Sequence, residues 1–224
     1  MFSRRTLPCA ALGALTLSLL TSHVSLAQRT PPPAIEQRTA GLRRMDGFFP
    51  LYWDSITGRL YMEITRFNTE VLHIQGIGAG LGSNDIGVER GNLQGSDIVV
   101  FERVGPKVLM VEPNYNYRAT FATNPEEARS VRESFARSVL WGFEAVAQSG
   151  NRVLVDLTDY LIRDPNTITQ RLRPGAYRID NSRSSIYLPM TQNFPQNTEL
   201  EVELTWVRQP AAAGPGGPGG GGGF

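Results

Sequence analysis

The histidines of this chain set the first limit on its chemistry. A zinc protease site needs two histidines one helical turn apart, a glutamate between them and a third ligand. The sequence has two histidines, and His23 lies in an apolar segment near the N-terminus. His73 lies in a strand-like stretch, where an ordinary polar-face or edge-strand position is the simplest interpretation. We therefore predict no metal site and no catalytic residue in this chain.

Nucleophilic and nucleotide chemistry find equally little support. No G-x-S-x-G elbow occurs, and only His73 could act as the base of a serine triad. The glycines between residues 76 and 91 fit neither G-x-G-x-x-G nor a P-loop, because Leu81 and Ser83 fall where glycine is required and no lysine follows. We interpret these glycines as positions that permit positive φ and close backbone approach.

Carboxylate pairs are the remaining catalytic candidates. Glu126–Glu127 fits a helix N-terminus, where negative charge is favourable. Asp156 ends a predicted strand and Asp159 lies at a predicted helix start, so capping is the preferred interpretation of both. Asp85 and Glu89 lie in the glycine-rich loop. An acid–base role for these two residues is a further hypothesis that the sequence leaves open.

The first 27 residues have the features of a signal peptide. Arg4 and Arg5 form a basic n-region, an apolar run follows, and Ser25-Leu26-Ala27 places small residues at the −3 and −1 positions. Cleavage after Ala27 would remove Cys9, the only cysteine, so disulfide and thiolate chemistry are not expected. We expect export to the periplasm or secretion, by the Sec or the Tat route, and no membrane attachment after cleavage.

The charge balance excludes some partners. The formal net charge of the whole chain is +1, and it becomes negative once the two arginines of the n-region are removed. No basic patch for nucleic acid or for an anionic membrane is apparent. We therefore expect neither nucleic acid nor a membrane as a partner.

Composition divides the rest of the chain into three parts. Residues 28–40 hold three consecutive prolines and predict an extended linker, and residues 41–209 are long enough for one β-rich domain with a sizeable core. Residues 210–224 are rich in glycine and proline and predict a flexible tail.

Alternation of apolar and polar residues predicts a mainly antiparallel sheet. A short connection at 66–69 predicts a hairpin between the first two strands, and Gly105-Pro106 predicts a tight turn between two later ones. The predicted strands are 59–65, 70–77, 97–104, 107–112, 115–121, 152–156, 176–180, 184–188 and 199–207.

One amphipathic helix is predicted over about 125–140. Asn124 is a good N-cap, Pro125 suits the first helical position and Glu127 lies three residues after the cap. A buried stripe and an exposed pair one turn apart follow from the spacing. The stripe comprises Ala128, Val131, Phe135 and Val139, and the pair is Glu133 with Arg137. Asp164-Pro165 predicts a short second helix, so the fold class is α+β.

Long, idiosyncratic motifs run through the chain from residue 47 to residue 206. They include GFFPLYW at 47–53, GAGLGSNDIGVERG at 78–91, FERVGPKVLMVEPNYNYR at 101–118, SVLWGF at 138–143 and YRIDNSRS at 177–184. Together they resemble the N-terminal domain of unknown function that precedes the catalytic domain in secreted bacterial zinc-dependent metalloproteases, a metzincin-like family.

The resemblance implies a longer protein, in which an H-E-x-x-H-type zinc site lies in a catalytic domain C-terminal to this region. It implies that this chain is truncated before that domain, and that zinc belongs to the full-length family and not to this chain. We therefore expect no cofactor here and no activity from this chain alone.

The function that the resemblance implies is support of a protease. The domain would pack against or position a metalloprotease catalytic domain, in cis or in trans. The candidate interface residues are Ser83, Asn84, Asp85, Arg90 and Arg103.

The alternative is a stand-alone exported binding module. Its aromatic platform would comprise Tyr52, Trp53, Tyr115 and Tyr117.

Overall fold

The computed structural model describes residues 31–80, 86–117, 119 and 124–210. The described residues from Pro32 onward lie in one compact unit. Antiparallel strands dominate this part of the chain, and its α-helices are short. The predicted α+β class, with mainly antiparallel sheet, is confirmed.

Eight of the fourteen described strands precede residue 157. The strands are β1 Arg43–Met45, β2 Leu51–Asp54, β3 Arg59–Ile64, β4 Val71–Gly76, β5 Leu93–Val104, β6 Lys107–Glu112, β7 Ser138–Ser149, β8 Arg152–Asp156, β9 Tyr177–Ile179, β10 Ser185–Ile186, β11 Gln192–Asn193, β12 Thr198–Glu199, β13 Val202–Glu203 and β14 Trp206–Arg208. The α-helices are α1 Ile35–Arg38, α2 Pro125–Ser134, α3 Thr158–Leu161 and α4 Ile168–Arg171, and Asn181–Arg183 forms a 3-10 turn.

Eight strands form one sheet in the order β1-β2-β3-β8-β7-β6-β5-β4. Every neighbouring pair is antiparallel. The two edges of this sheet are therefore β1 and β4. The later strands form separate two-stranded pairs: β9 with β14, β10 with β13, and β11 with β12.

One face of the sheet, the inner face, carries the main core. Alternate residues of the strands point to this face and lose almost all contact with water. Phe49 and Phe101 meet edge to face with ring centroids 5.5 Å apart, so the sheet curls until residues near its two ends share one core. The buried members are Phe49, Leu51, Leu60, Met62, Ile64, Val99, Phe101, Val108, Met110, Phe143, Val153, Val155, Leu157 and Ile186.

The outer face is covered by the N-terminal segment where it passes β2, β3, β7 and β8. Ile35 of α1 is buried there with Tyr52, Tyr61, Ala147 and Leu154. Two hydrogen bonds hold the segment in place. The Ile35 amide donates to the Ser149 hydroxyl at 3.0 Å, and the Gln148 amide donates to the Pro33 carbonyl at 2.9 Å. The packed structure thus begins before residue 41, inside the stretch predicted as linker.

A buried carboxylate strengthens this attachment. Glu63 is 2% exposed, and it accepts hydrogen bonds from the Tyr52 hydroxyl at 2.7 Å and from Arg152 at 2.8 Å. Arg152 also donates to Glu36 of α1 at 2.6 Å. Burial and the Glu63 carboxylate together raise the pKa of Tyr52 to about 12, so its hydroxyl stays a donor. Arg152 therefore joins the buried glutamate to the covering segment.

Two strand predictions were wrong in their pairing. The hairpin across 66–69 does not form, because β3 pairs with β2 and β8 while β4 pairs with β5 at the far edge. The predicted strand 199–207 is three short strands, since each piece pairs with a different partner. Both errors have one cause, which is that alternation reports a half-buried strand but does not identify its neighbour.

The strand predicted at 115–121 does not form in residues 115–117, which the structure describes. Residues 115–117 form no strand, because the Asn114 side chain accepts from the amides of Asn116 and Tyr117 and turns the chain. Residues 118, 120 and 121 lie outside the described residues.

The start of the predicted helix is correct and its end is wrong. The Asn124 side chain accepts from the amides of Glu126 and Glu127 at 3.1 and 3.2 Å, as an N-cap should. The helix ends at Ser134, and residues 138–149 form β7, because they pair with β6 on one side and β8 on the other. Val139 is exposed in that strand, so the predicted helical stripe does not exist as a whole.

The predicted ion pair between Glu133 and Arg137 is replaced by others. Arg137 pairs with Glu102 of β5, and Glu133 lies 3.9 Å from Arg129. Of the four predicted stripe residues, only Ala128 is buried. Tertiary pairing of a β-branched and aromatic stretch outweighs a helical period here.

Removal of the Arg152 charge should destabilise the domain far more than loss of an exposed ion pair. Arg152→Met leaves the buried Glu63 carboxylate without its counter-ion, which costs roughly 2–3 kcal/mol because Arg152 is itself partly open to water. The expected fall in Tm is about 5–10 °C, measured by calorimetry. Lys107→Met is the matched control, since it breaks the exposed Lys107–Glu144 pair, which contributes less than about 1 kcal/mol. Equal falls would contradict this account.

Candidate functional site

The two edges of the large sheet differ in the way they meet water. β1 is three residues long and carries Arg43 and Arg44, whose charges discourage pairing with another strand. β4 is six residues long, Val71–Gly76, and holds no charged residue. No backbone hydrogen bond joins β4 to any described segment except β5. We call this open side of the sheet the β4 edge.

The outer side of the β4 edge is apolar. Leu72 and Ile74 are 62% and 53% exposed, and Ile98, opposite Leu72 on β5, is 41% exposed. These three side chains form what we call the outer patch. The usual alternation of an edge strand is largely inverted, because the polar residues His73 and Gln75 point inward with Val71, while Leu72 and Ile74 point to water. An exposed apolar group beside an open strand favours an interaction surface.

The inner side of the β4 edge opens into a pocket of about 390 Å³. The segment from Glu70 to Ile74 forms one side of it, Gln196 to Thr198 and Leu200 lie along it, and core side chains such as Phe49 and Phe101 also line it. Glu70 is the one charged side chain among the described lining residues, and it accepts a hydrogen bond from Tyr115. We call this space the edge pocket; its size and apolar lining are typical of binding pockets.

His73 and Tyr160 are the polar pair of the edge pocket. The Tyr160 hydroxyl and His73 Nε2 are 2.9 Å apart. His73 Nδ1 lies 3.7 Å from Asp97 on β5, and this buried nitrogen has no hydrogen-bond partner among the described residues. Tyr160 belongs to α3 and packs edge to face against Trp141 and Phe143, with ring centroids 5.6 and 5.5 Å away.

Burial keeps this pair neutral. It lowers the pKa of His73, and this effect outweighs the nearby Asp97 carboxylate, which acts in the opposite direction. Burial also raises the pKa of Tyr160, although the guanidinium of Arg163 opposes it. Near pH 7 the imidazole and the phenol are therefore both uncharged. The arrangement suits a structural hydrogen bond better than a base acting on an activated nucleophile.

A larger cleft of about 940 Å³ continues from the edge pocket. Its walls are the loop 76–80, the region of α3 and α4, and residues 198–206. The indole nitrogen of Trp206, which lines the cleft, is buried and has no hydrogen-bond partner among the described residues. The β4 edge is thus bordered by concave surface along its inner side.

The glycine-rich loop has a structural role in its described part. A side chain at Gly80 would lie 3.1 Å from the Arg90 amide nitrogen, and one at Gly78 would lie 2.8 Å from a Glu201 carboxylate oxygen. Arg171 of α4 donates to the Gly87 carbonyl at 2.9 Å and ties the loop to that helix. Close backbone approach accounts for Gly80, as predicted, whereas at Gly78 the neighbour is the end of a flexible side chain.

Arg90 and Arg103, the two candidate interface residues that the structure describes, do not lie together. Ser83, Asn84 and Asp85 lie outside the described residues. Arg90 is exposed, lines the cleft and precedes β5, whereas Arg103 lies near the other end of that strand. Residues 93–102 of β5 lie between the two arginines, which are therefore near opposite ends of that strand.

Arg103 has neighbours of its own. It donates to Gln148 at 3.2 Å, and its Nη1 is buried without a partner among the described residues.

The aromatic platform considered from the sequence is also not assembled. Tyr52 and Trp53 are adjacent on β2 and point to opposite faces, with Tyr52 buried under α1 and Trp53 packed against the main core. Tyr117 instead stacks on Phe135, with centroids 3.9 Å apart and planes 4° from parallel. A platform of the four residues proposed is therefore wrong.

Metal binding and membrane insertion depend on two further properties of the described residues. Within residues 31–80, 86–117, 119 and 124–210, no group of three or more histidine, cysteine or acidic residues could hold a metal ion. None of the helices described there has the length and apolar character that a membrane span requires.

The outer patch was not found from the sequence. Leu72 and Ile74 were correctly placed on one face of a strand, opposite Val71, His73 and Gln75. Alternation alone does not say which face is buried, and an apolar face is normally taken to point inward. Residues 71–76 carry no charged side chain, and this is the feature of the sequence that could have indicated an unusual edge strand.

The stability of the domain should depend on pH through His73. Because its folded pKa is lowered, the unfolded chain binds more protons below about pH 6.5, so stability is complete above that pH and falls as the pH decreases through the folded value. His73→Phe should flatten this fall between about pH 7.5 and pH 5.5, as measured by urea unfolding. His23 is common to both proteins and serves as an internal control. The same pH dependence in both proteins would contradict the prediction.

Comparison with known proteins gives a family but no activity. No curated protein and no solved structure matches this chain. Residues 91–218, which are more than half of the chain, match the model of a domain of unknown function, DUF5117. The match covers β5 and all of the later elements described above, including most of the wall of the edge pocket. The chain therefore belongs to the DUF5117 family.

Proposed function

We propose that this domain is a non-catalytic part of a secreted zinc-dependent metalloprotease system, and that it binds and positions a protease catalytic domain in cis or in trans. The observation that carries the proposal is the outer patch beside the open β4 edge. The kind of partner comes from the motifs between residues 47 and 206 that resemble such proteases. Zinc would belong to the partner and not to this chain.

The partner side of the proposal follows from the cost of leaving the β4 edge in water. Burial of one leucine or isoleucine side chain contributes about 1.5–3 kcal/mol. Three such side chains are partly exposed in the outer patch, next to a strand whose outward backbone groups can pair with another chain. A folded partner would cover both, and the same surface without a partner would favour aggregation.

The non-catalytic side of the proposal follows from the polar pair. A general base needs a pKa near the working pH and access to the proton that it removes. His73 is held neutral by burial and is already bonded to Tyr160. Tyr160 has a raised pKa and is therefore a poor nucleophile. Both side chains serve to shape the edge pocket.

The proposal includes export. The basic residues Arg4 and Arg5, the apolar run after them and the Ser25-Leu26-Ala27 cleavage pattern support a periplasmic or secreted location. A secreted protease and its supporting domain would share that compartment.

A second candidate function is a stand-alone exported binding module. The stacked pair Tyr117 and Phe135 favours it, because these rings are 54% and 38% exposed and present an aromatic surface. This module would bind its ligand without any protease domain. Tyr117→Ala should then abolish ligand binding, whereas substitutions in the outer patch should not change it.

The proposed function predicts that this protein is more stable against unfolding when a zinc metalloprotease catalytic domain is added. The domain should come from the class of secreted proteases that the motifs resemble. At a concentration one hundred times its Kd, such a partner would add about 2.7 kcal/mol to the free energy of unfolding. Leu72→Ser/Ile74→Ser should weaken the association by about 2–3 kcal/mol, or roughly 30- to 150-fold, because it removes apolar area from the outer patch. The measurement is isothermal titration calorimetry, supported by thermal unfolding.

The matched control is Ile56→Ser, which removes an apolar side chain that is 94% exposed in the β2–β3 turn. It should leave the Kd unchanged. Equal weakening by both variants, or no association at all, would refute the proposal.

A further inference from the structure

We infer that the β4 edge accepts one extended, uncharged peptide segment as a ninth strand of the sheet, and that an apolar side chain of this segment fills the edge pocket. The inference rests on the proposed function and specifies the part of the partner that binds. The peptide would be an exposed loop or terminal segment of the partner, with apolar residues on both sides of its backbone.

The first argument is the backbone of β4. In an antiparallel pair, alternate residues of a strand turn their N–H and C=O groups away from the neighbouring strand. β4 bonds to β5 only, so the outward groups of Val71–Gly76 have no partner among the described residues. An added strand would satisfy these groups along the whole length of β4.

The second argument is the placement of apolar surface on both sides of that edge. Successive side chains of an added strand point alternately to the two faces of the sheet. An inward-pointing side chain of the added strand would lie over the edge pocket, beside Val71. On the outer face it lies beside Leu72, Ile74 and Ile98. A strand with apolar residues at consecutive positions fits both surfaces.

The third argument concerns charge. Glu70 is the one charged side chain among the described residues that line the edge pocket, and the His73–Tyr160 pair is neutral near pH 7. Glu70 already accepts a hydrogen bond from Tyr115, and the rest of the described lining is uncharged, so a charged side chain entering the pocket would lose much of its hydration. The inward residue of the peptide should therefore be leucine, valine, isoleucine or phenylalanine.

The shape of the site separates this occupant from two others. A small apolar molecule could fill the edge pocket, but it would leave the backbone groups of β4 without partners. A second copy of this chain would pair through its own β4, and it would bring its own residues 196–200 into the space beside the same edge. A single strand fulfils the backbone and pocket requirements together.

The test uses capped synthetic peptides and the full chain. The parent probe has the sequence SVLVLTS, and two derivatives carry N-methyl groups either on both leucines or on both valines. N-methylation removes the N–H donors from one edge of a strand and leaves its side chains in place. The parent should bind with a Kd below about 1 mM. One derivative should lose at least about tenfold in affinity, while the other stays within about threefold of the parent.

A pair of variants tests the pocket. Val71→Phe places extra volume inside the edge pocket and should weaken binding of the parent peptide at least about tenfold. Val104→Phe makes the same substitution at a side chain that is 52% exposed beside the β5–β6 turn, away from the edge pocket and the outer patch, and should retain binding. Thermal unfolding shows whether Val71→Phe is folded. If it is not, Leu200→Phe replaces it, because it fills the edge pocket from the opposite wall and should weaken peptide binding to the same extent.

Three results would overturn the inference. They are a parent Kd above about 1 mM, equal affinity of all three peptides, and full affinity of both pocket-filling variants. Equal affinity of the peptides with loss of binding in the variants would indicate a site for apolar side chains or small molecules without strand addition.

Failure here is distinguishable from failure of the proposed function. If the peptides fail and a protease catalytic domain still stabilises the protein, the partner binds in another way. If the parent peptide binds as expected and no protease domain does, the site exists and the proposed partner is wrong.

Discussion

A curled sheet with an apolar inner face needs other parts of the chain to cover that face. The fold of this protein depends on how this cover is built. The inner face of the eight-stranded sheet holds the main core, and the chain after β8 supplies its cover through residues such as Tyr160, Leu200 and Val202. The cover is made of short helices and strands of two or three residues, and it lies beside the β4 edge without a backbone hydrogen bond to it among the described residues. The edge pocket is the space left between them.

The outer face is closed in a different way and only in part. At β2, β3, β7 and β8 the segment around α1 covers it, held by Ile35 and by the Glu36–Arg152–Glu63 network. At the other end of the sheet, Leu72, Ile74 and Ile98 have no such cover among the described residues. The β4 edge therefore combines three features, namely open backbone groups, an apolar outer surface and an apolar inner pocket. Each is common, but their combination on one uncharged strand favours a binding role.

Much of the fold could be predicted from local sequence, and the pairing could not. The strands at 59–64, 71–76, 107–112 and 152–156 agree with their predicted bounds to within about one residue, because alternation and turn residues are local signals. The cap at Asn124 was correct for the same reason. The order of the strands depends on contacts between distant residues, so the false hairpin of β3 with β4 and the missed strand β7 were not errors that local patterns could correct.

The candidate site illustrates the same limit. His73 was interpreted as an ordinary polar-face or edge-strand residue, but its bond to Tyr160, 87 positions away in the chain, required the tertiary structure. The polar residues chosen from the glycine-rich loop were chosen for their types, and Arg90 and Arg103 proved to lie at opposite ends of β5. The apolar residues that now define the surface had seemed ordinary because an alternating strand normally hides its apolar face.

The most direct test of the central claim is hydrogen–deuterium exchange of the full chain, with and without a zinc metalloprotease catalytic domain of the class resembled here. The account predicts that the amides of Val71–Gly76 exchange more slowly in the complex, while those of Arg43–Met45 at the opposite edge do not change. Protection confined to other parts of the surface, with β4 unaffected, would contradict the claim that the β4 edge is where the partner binds.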